Sequence, residues 1–276
     1  MSWIARLNLD YSLEAGRSVA RFSHDGPLRI LQSLYPEADT VCHNVLVHPP
    51  SGLVGGDTLD MQVTVGPGAH GLVTTPGATR FYRSEANLAT QQLHARVADG
   101  ARLEWLPLEA LAYSGCHALN LARFELAPTA ELMTWDITAL GLPHAQQPFV
   151  AGRFQQHLEI PGVWLERGTV DAKDERLMNG PLGLTGQRCM ATLVFAAGRT
   201  ITLERAEVAL EVARSAIEAS PLRLLAGATQ PHPQVIVLRV LAPMVEPAMQ
   251  LLRSVRTSWR QIMWKLPGTA PRLWNL

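Results

Sequence analysis

Four carboxylates stand where an acidic side chain could do chemistry. Asp57 follows the double glycine Gly55-Gly56, where the backbone is exposed and flexible. Glu109 closes LPLE after a strand-like run, Asp136 lies inside the apolar-rich MTWDI, and Glu166 sits in WLER. The last two have half-buried surroundings. A carboxylate withdrawn from water must find an arginine, a hydrogen-bond donor, a water or a metal ion. That leaves two readings. One is pairing with arginine, since of the 24 basic residues only Lys173 and Lys265 are lysine. The other is a wet, acidic passage through the interior.

Other chemistries are poorly served. GPGAHG (66–71) fits the dinucleotide pattern G-x-G-x-x-G, but that pattern works only when a helix comes next and its N-terminus holds the pyrophosphate. The next residues are LVTTPGATRFY, whose threonines, proline and glycine forbid a helix. Pro67 and Gly68 instead suit the centre of a tight turn, with Gly68 supplying positive φ. There is no G-x-S-x-G elbow, phosphate loop, H-E-x-x-H or C-x-x-C. Cysteine adjoins histidine at Cys42-His43 and Cys116-His117. Neighbours on a strand point to opposite faces, so neither pair can chelate one ion there. No tight local metal site is expected, although ligands could converge from distant strands.

The elements that must position these groups are mostly strands. From Thr58 to Val65 polar and apolar residues alternate without a break, as in a half-buried strand. Similar short runs recur, separated by PPSG, GPG, TPG, ADG, PGV and AAG. The pattern is β-rich from about residue 5 to about 200. A weak repeat runs through it: VGPGA (65–69), VADGA (97–101) and LAPTA (126–130), at spacings of 32 and 29 residues. Such periods suit stacked supersecondary units. The expected fold is therefore one mainly β domain over 1–276, a stacked antiparallel or β-helix-like arrangement. Two helices are expected in the C-terminal half, at about 204–219 and 246–265. On the second, Ala248, Leu252, Val255, Trp259, Ile262 and Leu266 form an apolar stripe, with Arg253, Arg256 and Arg260 off it.

Composition narrows the class further. The chain has 276 residues, is 47% hydrophobic, and balances 24 basic against 24 acidic residues. Neutral charge disfavours nucleic acid, where phosphate neutralisation dominates binding. Three widely spaced cysteines argue against a disulfide framework. No signal-peptide core and no 18-residue apolar run is present. A cytoplasmic location is the expectation.

The block GLVGGDTLDMQVTVGPGAHGLVTTPGATRFYRS (52–84) closely resembles the signature of the UreD (UreH) family of urease accessory proteins. HNVLVHPPSG before it, LEWLPLEAL and AELMTWDITALG after it, and the terminal PRLWNL resemble further family segments in the same order. Arg80 stands where the family commonly has lysine, and ALAYSGC replaces a phenylalanine-bearing stretch after LPLE. The resemblance implies a non-enzymatic metallochaperone that binds apo-urease and recruits UreF and, through it, the nickel-carrying GTPase UreG. It also implies that Ni²⁺ travels through an internal channel and that no cofactor is held permanently. By motif match, the channel candidates are Asp57, Thr74, Thr75, Glu109, Asp136 and Glu166. Gly55, Gly56, Gly66, Gly68, Pro76, Gly77, Arg80, Tyr82 and Arg83 are signature positions. A purely structural clamp for the activation complex is the alternative, and an enzyme on a β scaffold is a third reading. Under the channel reading, Asp57→Ala slows nickel incorporation and leaves assembly intact.

Overall fold

The strands fall into two kinds, and the kind sets the layer. Thr58–Val65 buries every second residue, so one of its faces meets water. His70–Thr74 is buried throughout, and Glu131–Leu142 nearly so. Strands of the second kind need cover on both faces. A computed structural model, describing residues 2–50, 52–84 and 87–275, provides that cover in three layers: an outer sheet, a middle sheet and helices.

The outer sheet has seven strands in the order Trp164–Asp171, Gly152–Ile160, Cys116–Leu126, Ala89–Val97, Thr58–Val65, Ile4–Glu14 and Arg17–Asp25. The long path of the middle sheet runs Ala226–His232, Val235–Ala242, Cys189–Ala197, Glu131–Leu142, Arg102–Leu106, His70–Thr74, Cys42–Val47 and Arg29–Leu34. The chain shuttles between the sheets, so Thr58–Val65, Ala89–Val97 and Cys116–Leu126 each feed the next middle-sheet strand. Neighbours in these coils are parallel. Antiparallel pairs flank them at both ends. The expected stack is thus a parallel β-solenoid with antiparallel ends.

The faint sequence repeat is the corner of this solenoid. Ala98 N donates to Val65 O (2.9 Å), and Ala127 N donates to Val97 O (2.9 Å). Gly68 N donates to Asp99 O (3.1 Å), tying the first corner to the second. Gly68 and Gly100 hold the same place in their corners, at φ +71° and +68°. At that place in the third corner, Thr129 Oγ1 accepts from Gly100 N and donates to Asp99 Oδ1. GPGAHG is accordingly strand, turn and strand, as its sequence requires.

Between the sheets lies one apolar core, with Leu7, Met61, Leu93, Leu103, Phe124 and Phe154 among its residues. A second lies between the middle sheet and the helices, including Leu72, Trp135, Phe195, Leu238 and Leu252. A short helix α1 spans Glu175–Asn179. The two expected helices are α2, Leu203–Glu218, and α3, Val245–Trp264. Thr202 caps α2 by accepting a hydrogen bond from Arg205 N. Among the described residues no helix is long and apolar enough to cross a membrane.

The arginines of α3 depart from the expected pattern. Arg256 and Arg260 lie off the apolar stripe, yet both are fully buried. Glu104 of the middle sheet, also fully buried, explains them. Its Oε2 accepts from Arg256 Nε (3.1 Å) and Nη2 (2.7 Å), and its Oε1 lies 3.1 Å from both Arg260 Nε and His70 Nε2. Arg260 also donates to both carboxylate oxygens of Glu37, which lies 2.7 Å from His43 Nε2. Two carboxylates and two guanidiniums balance in charge, and burial lowers the His70 imidazole. Burial pulls Glu104 upward, but Arg256, His70 and Arg260 outweigh it and hold the carboxyl well below its usual range. The same arginines fasten the C-terminal segment, donating to Thr269 O (2.8 Å) and Pro267 O (2.6 Å).

Removing one member of such a network leaves buried charge unpaired, which costs about 3–5 kcal/mol. Glu104→Ala is expected to lose about that much stability in urea unfolding, with α3 and residues 265–275 gaining the most hydrogen exchange.

Candidate functional site

Prolines interrupt the middle sheet at one level in three successive coils. Cys42–Val47 stops before His48-Pro49-Pro50 and pairing resumes at Gly52–Leu53. His70–Thr74 stops before Thr75-Pro76-Gly77-Ala78 and resumes at Thr79–Phe81. Arg102–Leu106 stops before Pro107-Leu108-Glu109 and resumes at Ala110–Ala112. Proline has no N–H to give a ladder, so each strand splits there. Side chains and local turns take up the freed groups. Thr75 Oγ1 accepts from Leu108 N (2.8 Å) and donates to Gly77 O (2.9 Å). Trp135 Nε1 donates to Pro107 O. The next strand, Glu131–Leu142, has no proline and carries Asp136 opposite the last break.

The outer sheet answers with amides. Gln91, Asn120 and Gln156 occupy inward positions on three neighbouring strands and are in register. Thr79 Oγ1 donates to Gln91 Oε1 (3.2 Å), Gln91 Nε2 to Asn120 Oδ1 (3.0 Å), and Asn120 Nδ2 to Asp136 Oδ2 (3.2 Å). Thr138 Oγ1 donates to Asp136 Oδ1 (3.3 Å). On the other side Asp136 is register-paired with Thr192, and Thr192 with Arg239. Thr192 Oγ1 donates to Glu166 Oε1 (3.2 Å), and Arg239 Nη2 to Glu166 Oε2 (3.0 Å).

A polar layer therefore crosses the solenoid along its axis, from Thr75 and Thr79 through Asp136 to Glu166. At one end is a cleft of about 200 Å³ lined by His48, Thr75, Pro76 and Gln91. Beside Asp136, Asn120 and Gln91 is a cavity of about 20 Å³, room for about one water. At the far end an open cleft of about 460 Å³ is lined by Glu166, Thr192 and Arg239. Burial, and then repulsion from Glu166, push the Asp136 carboxyl up to about 6. Among the described residues its partners are amides and hydroxyls, with no arginine, so near neutrality it is poised to hold a proton or a cation. Burial pushes the Cys116 and Cys189 thiols up to about 12. Among the described residues no three His, Cys, Asp or Glu side chains gather to hold a metal ion.

The candidates from sequence divide. Thr75, Asp136 and Glu166 belong to the layer. Asp57 is buried in the turn before Thr58, where its carboxylate accepts from Trp3 N (3.3 Å) and Val54 N (3.0 Å). Asp57→Ala would strip acceptors from that turn, so its effect cannot be confined to nickel. Thr74 faces the helices and accepts from Trp274 Nε1 (2.9 Å). Glu109 opens into a separate cleft of about 300 Å³ with Glu246, Cys189 and His144. Burial raises its carboxyl, Glu246 adds to the rise, and Arg253 opposes it. Of the signature positions, Gly56 has φ +92°, and a Cβ on Gly55 would strike Ser84. Gly66 N donates to Tyr11 O (2.8 Å). Pro76 and Gly77 line the His48 cleft. Arg80 is paired in register with Gly52, Tyr82 packs on Tyr113, and the Arg83 stem lies over Gly115. Sequence reasoning missed Gln91, Asn120, Gln156, Thr192 and Arg239. The signal for the three amides was present: each breaks the apolar set at an inward position of an alternating strand.

Comparison with known sequences decides the family. The model of the UreD urease accessory protein family matches residues 4–275. The chain belongs to the UreD family. It is 63% identical over 276 residues to the urease accessory protein UreD of Paracidovorax citrulli (strain AAC00-1), covering all of both chains. Its identity to that of Variovorax paradoxus (strain S110) is 61% over 274 residues, 99% of each chain. UreD of Albidiferax ferrireducens is likewise 61% identical over the full length of both. Membership brings the role of urease accessory protein. In this chain the specific 52–84 block contributes a solenoid corner, the Pro76 break and one end of the polar layer.

The raised Asp136 carboxyl carries a pH signature. A native state that holds a proton more tightly than the unfolded chain is most favoured below the unfolded value and loses that advantage as pH rises through about 6. Asp136→Asn removes the ionisation. Relative to wild type it is expected to gain on the order of 3 kcal/mol between pH 4 and pH 8, read by urea unfolding across that range.

Proposed function

We propose that this member of the UreD family serves urease maturation as a scaffold and a nickel conduit. It binds apo-urease, recruits UreF and with it the GTPase UreG, and lets Ni²⁺ pass between its two sheets toward the urease active site. It acts in the cytoplasm and performs no catalysis of its own. The observation that carries this reading is the polar layer: oxygen donors run through an apolar sandwich from one cleft to another, with Asp136 midway and free of any basic partner among the described residues.

The donor chemistry supports transport over storage. Thiolate and imidazole clusters hold Ni²⁺ tightly, whereas amide oxygens, hydroxyls and single carboxylates hold it weakly. A passage needs affinity enough to admit an ion and weakness enough to release it. At neutral pH the Asp136 carboxyl is mostly ionised and offers Ni²⁺ one compensating negative charge midway along the layer. Gln91, Asn120 and Thr138 offer oxygens that substitute in part for the ion's water. The clamp alternative assigns the layer no traffic and predicts that its polarity is dispensable.

Asp136→Ala, and separately the milder Asp136→Asn, are expected to copurify with urease and its partner proteins as wild type does. Urease activated through them should gain nickel roughly tenfold more slowly, the effect of about 1.4 kcal/mol on a barrier. Nickel content by elemental analysis is the measurement. Normal nickel in fully assembled mutant complexes would sink the conduit and leave the clamp.

A further inference from the structure

The far end of the layer carries a feature at odds with a cation path: a guanidinium stands in it. Arg239 and Glu166 bridge the two sheets at 3.0 Å, and the pair is asymmetric. The Arg239 side chain is 56% exposed, while that of Glu166 is 19% exposed and sits on the inner face. Both Glu166 oxygens are engaged, Oε2 by Arg239 and Oε1 by Thr192. Thr192 in turn is the register partner of Asp136. Arg239 lies over the Trp164 ring, 5.3 Å from its centroid. This aromatic rest leaves the guanidinium close to solvent.

We infer that Arg239 is a built-in plug, a resident cation that competes with the travelling one for Glu166. The inference rests on the conduit reading and assigns a residue that governs it. With Arg239 in place, Glu166 is paired and the end of the layer presents a guanidinium to an approaching ion. When the arginine swings toward water it loses little, because it is already half solvated and a partly exposed ion pair is weak. Glu166 then turns its full charge on the layer beside Asp136. Occupation by Arg239 and by a divalent ion is mutually exclusive, so the end opens only when one cation displaces the other. Its partner Glu166 stood out in the sequence on its own account; Arg239 did not, because the two are 73 residues apart.

The test is a double-mutant cycle on the full-length protein, read by equilibrium dialysis against Ni²⁺ alone. Arg239→Gln is expected to bind Ni²⁺ at least tenfold more tightly than wild type. Glu166→Gln in the same chain should abolish that gain, and Glu166→Gln alone should bind no better than wild type. Unchanged affinity in Arg239→Gln, or a gain that persists in the double variant, overturns the plug. Thermal unfolding of each variant verifies folding, and Arg239→Met supplies an apolar replacement expected to show the same gain. The two proposals fail separately. If Asp136→Ala blocks nickel delivery while Arg239→Gln alters nothing, the plug falls and the conduit stands. If Asp136→Ala delivers normally while the cycle behaves as expected, Arg239 still guards a nickel-binding carboxylate, but on no through-route.

Discussion

The alignment of three chain breaks constrains everything else in this molecule. A parallel solenoid buries its inner faces, and a buried ladder tolerates no donor-free residue. Yet proline falls in the middle-sheet run of three successive coils, at Pro49-Pro50, Pro76 and Pro107. Stacked in register, those breaks share one level. Backbone groups released there must find partners inside the protein, so polar side chains gather at that level. The hydroxyl of Thr75 serving both Leu108 N and Gly77 O is the simplest case. The in-register amides of the outer sheet face the same level and bond to Thr79, to one another and to Asp136. The Thr75 end of the polar layer is thus a consequence of where the prolines fall, before any metal is considered.

A sandwich with a wet seam needs rigidity from elsewhere, and the opposite face of the middle sheet supplies it. There α3 seals the sheet with tryptophan and leucine and inserts Arg256 and Arg260 onto Glu104 and Glu37. Such a network adds little net stability compared with an apolar core, but it fixes one arrangement because every alternative strands a charge. It also reaches across the chain: Glu37 lies 223 residues before Arg260. The C-terminal Trp274 completes the clasp by donating to Thr74, the residue at the edge of the Pro76 break. The helical face therefore holds the breaks in line from behind, while the apolar core around Met61, Leu93 and Phe154 holds the outer sheet at its distance.

The sequence made the architecture legible wherever structure is local. Alternation marked the strands, Pro67-Gly68 marked a corner, and the recurring five-residue turn marked the stack because each corner repeats the same backbone solution. Where position depends on distant partners, local patterns misled. Arg256 and Arg260 look like solvent-facing residues of an amphipathic helix, and only Glu104 and Glu37 on other elements bring them inside. The site was half legible for the same reason. Asp136 and Glu166 stood out as acids in apolar company. Thr74 and Thr75 are neighbours in one motif, yet strand alternation sends them to opposite faces, so only Thr75 meets the layer. Asp57 announced chemistry by type and serves a turn. Gln91, Asn120 and Gln156 each interrupt an apolar inward set, a signal too weak on its own to assign a role. Their meaning lies in register, which needs three strands at once.

The polarity of the layer also explains why its central acid has no basic partner among the described residues. A guanidinium beside Asp136 would lower its carboxyl, satisfy the core and make a stable, inert pair, as at Glu104. At Asp136 the neighbours are amides and hydroxyls, which stabilise either charge state only in part. The carboxyl is consequently held up near 6. The guanidinium is displaced to the end of the layer instead, onto Glu166, where it is half solvated and easily moved. One fold thus uses the same ion pair in two ways. Fully buried against α3 it locks the layers together, and at the rim it is reversible. Burial, not residue type, decides which of the two it becomes.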